Sequence, residues 1–209
     1  MRAVKEHGNI FVISSPSGGG KSSLISRALK AVPRLTLATS HTSRPPRAGE
    51  KNGVEYHFVT RGEFLAMRRE GDFVEWVRLH GHLYGTSRRE LDRLTARGKD
   101  ILLDIDIRGA ASVASIYPRA VTVFILPPSL AVLEERLRKR GSESEEQIRT
   151  RLTAAVREMR AATRYRYCIV NRTLSRAAAE LEAVVTAERL QLSPGAARAL
   201  VKKILTPPA

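Results

Sequence analysis

The stretch that most restricts what this chain can become lies at residues 10–23. The apolar run Ile10-Phe11-Val12-Ile13 enters Ser14-Ser15-Pro16-Ser17-Gly18-Gly19-Gly20-Lys21-Ser22-Ser23, and Leu24, Ile25 and Leu29 leave it at helical spacing. A short apolar strand that feeds a glycine-rich turn and then a helix is a building unit of a parallel α/β sheet. Consecutive glycines let backbone N–H groups turn inward around an anion, and the helix aims its positive end at the same point. Lys21 adds a mobile charge. The phosphate-loop pattern G-x-x-x-x-G-K-[ST] fits residues 15–22 with Ser15 in the place of the first glycine, and Gly18 to Ser22 is intact. The bland alternative, a Gly/Ser turn before an unrelated helix, does not account for the strand–loop–Lys–Ser–helix order. Ser15, Pro16, Ser17, Gly18, Gly19, Gly20, Lys21, Ser22 and Ser23 are therefore the candidate contacts to nucleotide phosphate.

Strand and helix patterns alternate on either side of a differently built middle. Leu35 to Ala38 reads as a strand that runs into the hydroxyls and cation of Thr39-Ser40-His41-Thr42-Ser43-Arg44. Two prolines stiffen the loop 44–53 and hold Arg44 and Arg47 in place of letting them swing. Short elements follow: a strand at Tyr56 to Val59, a helix with Phe64 and Met67 inward, a strand at Phe73 to Val77, and a turn at Tyr84-Gly85-Thr86-Ser87. Such a cluster suggests a lobe inserted between two halves of a parallel sheet. The core pattern resumes with a helix carrying Leu91 and Leu94, a strand from Ile101 ending in Asp104 and Asp106, and a strand at Val121 to Leu126. In a regular strand Asp104 and Asp106 share one face. A helix with Leu130, Leu133 and Leu137 closes at Gly141, and another starts near Ser142 to Ser144 with Ile148, Leu152, Val156 and Met159 as its buried stripe. Tyr167 to Val170 is the last strand, a helix with Leu181, Val184 and Val185 follows, and Pro194-Gly195 breaks it before a short basic tail.

The formal charge of +15 raises the possibility of nucleic-acid binding. The cations are spread along the chain without aromatic interleaving, so solvated arginine-rich helix faces and a site for polyanionic nucleotides explain them better. The apolar runs are too short to span a bilayer and the N-terminus lacks a signal-peptide core, which predicts a cytoplasmic protein with no membrane partner. Cys168 has no partner for an intrachain disulfide and reads as a small buried packing residue. The five histidines have no metal-ligand spacing.

From Ile10 to about Leu192 the order of features resembles the guanylate kinase family. The phrases that carry the resemblance are Ser-Pro-Ser-Gly-Gly-Gly-Lys-Ser at 15–22, Ser-His-Thr-Ser-Arg-Pro-Pro-Arg-Ala-Gly-Glu at 40–50, Phe-Val-Glu-Trp at 73–76, Tyr-Gly-Thr-Ser at 84–87, Leu-Asp-Ile-Asp at 103–106 and Ile-Leu-Pro-Pro-Ser at 125–129. The resemblance implies an α/β fold, a P-loop nucleoside monophosphate kinase-like parallel sheet flanked by helices, with a small inserted α+β GMP-binding lobe and a helical lid. On this reading one domain comprises a core at 1–39 and 98–209, the lobe at about 40–97 and the lid at about 138–151. The implied reaction is ATP + GMP giving ADP + GDP with Mg2+, dGMP being a further acceptor.

The resemblance also distributes roles. Lys21 reaches the β and γ phosphates, Ser22 and Asp104 serve the metal, and Asp106 faces GMP, although both acids also suit structural ion pairs. Guanine offers two adjacent donors that one carboxylate, Glu75, accepts together, while Ser40 donates to the O6 acceptor. Read without its neighbours, Glu75 is a solvated strand residue. Arg44 and Arg47 clamp the GMP phosphate with the Tyr56 and Tyr84 hydroxyls, and Thr86 adds another. Arg140 and Arg151 of the lid cover the transferred group, whereas Arg136, Arg138, Lys139 and Arg149 suit a solubilising helix face. Asn171 lies on the adenine side of the ATP site, followed by Arg172 where the family commonly has an acid, and Arg108 stands where glutamine is usual. Two other functions use the same residues: a non-catalytic binding module for phosphorylated peptides, and a basic P-loop ATPase acting on nucleic acid. Nothing in the sequence sets an oligomeric state.

Overall fold

Strand β1 (Ile10–Ser14) is buried along its whole length, as expected of a strand covered on both faces. In the computed structural model, which describes residues 7–139, 144–192 and 194–206, it is the middle of a five-stranded parallel sheet. The order is β2 (Leu35–Leu37), β7 (Asp100–Asp104), β1, β8 (Val121–Leu126), β9 (Tyr167–Val170). Pairing of Ile13 with Asp104 and of Ser14 with Phe124 brings the carboxyl ends of β1, β7 and β8 to one edge.

The alternation along β1 divides the core. Phe11 and Ile13 pack with Leu24, Ile25 and Ala28 of α1 (Lys21–Ala31) and Ala177, Leu181 and Val185 of α7 (Leu174–Leu190). Ile10 and Val12 meet Leu91 and Leu94 of α3 (Arg88–Ala96) and Ala110 and Val113 of α4 (Ile107–Ile116) on the other face. Each fully buried aliphatic side chain contributes about 1.5–3 kcal/mol, so these two layers hold the central sheet firmly.

Between β2 and α3 the chain builds a second sheet, ordered β4 (His57–Phe58), β3 (His41–Thr42), β6 (His82–Ser87), β5 (Phe73–Leu79). Helix α2 (Arg61–Arg69) starts at a reciprocal cap between Thr60 and Glu63 and seals this sheet by stacking Phe64 on Phe73, with ring centroids 4.3 Å apart. Tyr84 to Ser87 is the second half of strand β6 and not the expected turn; the chain reverses at His80 and Gly81, where φ is 48° and 83°. Gly85 is needed for packing, because a Cβ there would stand 2.9 Å from Phe73 and 3.1 Å from Phe64.

Four further expectations change. Strand β7 stops at Asp104, so Asp106 does not share a strand face with it; Asp106 caps α4, accepting from the Gly109 N–H at 2.8 Å. Helix α6 (Glu145–Met159) buries Ile148 and Ala155, while Leu152, Val156 and Met159 are only half-buried. The basic tail is a helix, α8 (Pro194–Leu205), with proline in the first turn, where its missing N–H costs nothing. Cys168 is exposed, since β9 is an edge strand, and partial desolvation pushes its thiol pKa up. Arg140 and the expected helix boundary at Gly141 and Ser142 lie outside the described residues. Among the described residues no helix is long and apolar enough to cross a membrane.

Candidate active site

The loop between β1 and α1 is shaped by two glycines. Gly18 and Gly20 have φ of 87° and 88°, a region that L side chains rarely adopt. A Cβ on Gly18 would also meet Leu133 at 2.9 Å on α5 (Leu130–Arg138), and one on Gly20 would lie 2.4 Å from Asn171 Nδ2. Helices α2 to α7 each begin with a side-chain cap, whereas α1 begins at Gly20 without one. The first N–H groups of α1 are thereby left for an anion that the helix dipole favours.

Asn171, 4% exposed, donates from Nδ2 to Gly19 O at 3.0 Å, and so ties the end of β9 to the loop. Arg136 braces both, donating to Asn171 O at 3.0 Å and to Gly19 O at 3.5 Å. It is not the solubilising residue expected. The signal was its position three residues after Leu133 and next to Leu137, on the margin of the buried stripe of α5. Arg151 of α6 reaches the loop from outside, with Nη1 3.4 Å from Ser17 Oγ.

Lys21 Nζ lies 2.5 Å from Asp104 Oδ1 and 3.3 Å from Ile105 O, which also accepts from Ser14 Oγ at 2.9 Å. The ion pair foreseen as an alternative for Asp104 therefore exists, and its partner is the loop lysine itself. Ser22 and Ser23 are exposed in the first turn of α1.

The second lobe carries two clusters. In the first, Glu75 stands opposite Thr86 in the β5–β6 register and accepts from Thr86 Oγ1 at 2.6 Å. Its Oε2 approaches α4, where a Cβ on Gly109 would be 3.4 Å away. Burial raises the Glu75 pKa; the Thr86 hydrogen bond opposes this and the Asp106 charge adds to it. This is a half-buried carboxylate and not a solvated strand residue. In the second cluster Arg44 Nη2 pairs with Glu50 Oε1 at 2.8 Å, Nη1 donates to Pro45 O at 2.8 Å, and the guanidinium lies over Tyr56 at 5.5 Å and Phe58 at 5.7 Å. Tyr84 stands edge-on to Tyr56, with centroids 5.8 Å apart, and its hydroxyl helps Glu50 to raise the Arg44 pKa. The backbone N–H of Arg47 donates to Glu50 Oε2 at 2.7 Å. Ser40, half-buried where the chain enters this sheet, accepts at its carbonyl from His57 N. Glu50 is not among the expected residues, although an acid spaced three and six residues after two arginines is visible in the sequence.

A parallel sheet with a capless glycine loop at its carboxyl edge, together with a lobe bearing a half-buried acid and a braced arginine, defines a P-loop kinase-like nucleotide-binding protein. The family model for guanylate kinase matches residues 7–188. The guanylate kinase of Aromatoleum aromaticum is 47% identical over 184 residues, covering 88% of this chain and 90% of its own. That of Haemophilus ducreyi is 44% identical over 202 residues, covering 95% and 98%. The crystal structure of guanylate kinase from Anaplasma phagocytophilum matches with a TM-score of 0.69 and 31% identity, covering 91% of this chain and 90% of that one. The chain belongs to the guanylate kinase family.

Proposed function

We propose that this protein is an ATP:GMP phosphotransferase, forming ADP and GDP, in which the β1–α1 loop holds the donor and the β3–β6 lobe holds the acceptor. The observation that carries this reading is the built acceptor site in a family member: Glu75 fixed by Thr86 at one end and Arg44 fixed by Glu50 at the other. Phosphoryl transfer between nucleotides asks for positioning and charge neutralisation more than for covalent chemistry.

The Gly18–Ser23 backbone, with Ser15, Pro16 and Ser17 leading into it, cradles the donor phosphates, and Lys21 leaves Asp104 to meet the β and γ phosphates. Asn171 supports the ATP site through Gly19, and Arg151, next to Ser17, neutralises charge on the transferred group, a role proposed for Arg140 as well. Ser40 and Glu75 read guanine, with Asp106 beside them at the start of α4. Arg44, Arg47, Tyr56 and Tyr84 surround the acceptor phosphate, while Thr86 holds Glu75 at the base end. dGMP is a further acceptor on this reading.

The Ser22 hydroxyl and the Asp104 carboxylate suit magnesium, a hard cation that keeps most of its waters and takes few protein ligands. When bound with ATP, the metal supplies positive charge to the phosphate oxygens. On this reading the enzyme serves purine nucleotide metabolism and works in the cytoplasm. Purified protein given ATP, magnesium and GMP should yield GDP; absence of GDP would refute the assignment.

A further inference from the structure

We infer that Glu50 is a positioning residue for the acceptor phosphate, acting through Arg44 and Arg47; this rests on the reading of those arginines as phosphate ligands. The loop 44–53 crosses from β3 to β4 with no helix of its own, and it is rich in cations. One carboxylate spans it. Oε1 takes the Arg44 guanidinium at 2.8 Å and Oε2 takes the Arg47 backbone N–H at 2.7 Å. The side chains of Arg44 and Glu50 are 11% and 18% exposed, so this is no loose surface pair. The Arg44 hydrogen bond, followed by that of Arg47 N–H, holds the Glu50 pKa below the usual carboxylate range, and the bridge stays ionised at neutral pH.

Pro45 O fixes a second edge of the same guanidinium, and the Tyr56 and Phe58 rings lie against it. Because the guanidinium is planar and rigid, fixing two of its N–H groups fixes the direction of the rest. A free arginine would lose that rotamer freedom on each binding event, whereas a braced one has already lost it. Glu50 does not act by attraction, because a carboxylate beside the clamp repels a phosphate. A pure charge effect therefore predicts tighter GMP binding when Glu50 is neutralised, and positioning predicts weaker binding.

Steady-state kinetics of Glu50→Gln, Glu50→Asp, Arg44→Gln and the Glu50→Gln/Arg44→Gln double variant separate the two. We expect Glu50→Gln to raise KM for GMP about tenfold while kcat changes far less, the loss of ground-state positioning. KM for ATP should stay at the parental value, and Glu50→Asp should give an intermediate KM for GMP. The double variant should lose less than the product of the two single losses, since the part of the Glu50 effect that runs through Arg44 is already gone in Arg44→Gln and only the Arg47 part remains. A KM for GMP that is unchanged or lowered in Glu50→Gln, or losses that multiply in the double variant, would overturn the inference. If Glu50→Gln does not fold, Glu50→Asp decides, because the shortened acid cannot span both partners; a parental KM there overturns it as well. Parent protein that makes no GDP would sink the functional reading itself, a result distinct from any of these.

Discussion

Glu75 carries its charge where burial makes that charge costly. Its folded pKa is raised, so the ionised form is destabilising relative to the protonated one, and the stability it contributes is present below its unfolded pKa and lost as pH rises through the folded one. Glu75→Gln should therefore raise the Tm of the empty protein at neutral pH, while a two-donor base loses one of its two acceptor oxygens to an NH2 donor and KM for GMP rises. In the parent, KM for GMP should climb as pH falls from neutrality toward the carboxylate range, and the glutamine variant should lack that step; identical pH profiles would sink the carboxylate assignment. Lys21→Met removes the charge that Asp104 now holds, and kcat should fall by roughly 10²–10³, read in the same coupled assay. Lys21 and Ser22 were legible in sequence because the motif is local. Arg136 and Glu50 were not. Arg136 meets Gly19 across 117 positions, and Glu50 gains meaning only once the loop folds back on Arg44.

Elements were legible where one principle dominated. β1, β7 and β8 are apolar runs with no competing period, and α2 shows Phe64 and Met67 at helical spacing. β6 was misread because Gly85 looked like turn chemistry, when its missing Cβ makes room for two phenylalanines. Helix α4 escaped notice because Gly109, Ala110 and Ala111 give only a weak stripe. The short basic tail is a helix that begins at the very proline expected to break one. Gly85→Ala should destabilise the protein by about 1–3 kcal/mol through overpacking, seen as an earlier urea midpoint. Gly20→Ala combines a left-handed φ with a collision at Asn171. Its expected signature is a cost of about 1–3 kcal/mol together with a raised KM for ATP and an unchanged KM for GMP.

In the whole molecule, the five-stranded sheet carries the glycine loop and the four-stranded sheet carries Glu75, and Glu75 and α4 are where they meet. Helix α8 lies beyond the residues matched by the family model and leaves Val201, Ile204 and Leu205 exposed. A chain ending at Leu192 should therefore keep both its Tm and its kinase activity, because little apolar area is buried there to lose. The two-site architecture stands or falls on base choice. The most direct test is a coupled kinase assay across GMP, dGMP, AMP, CMP and UMP, with the parent and Glu75→Gln side by side. The account predicts turnover of GMP and dGMP alone in the parent, with discrimination against AMP collapsing in the variant. Equal turnover of AMP and GMP by the parent would contradict it.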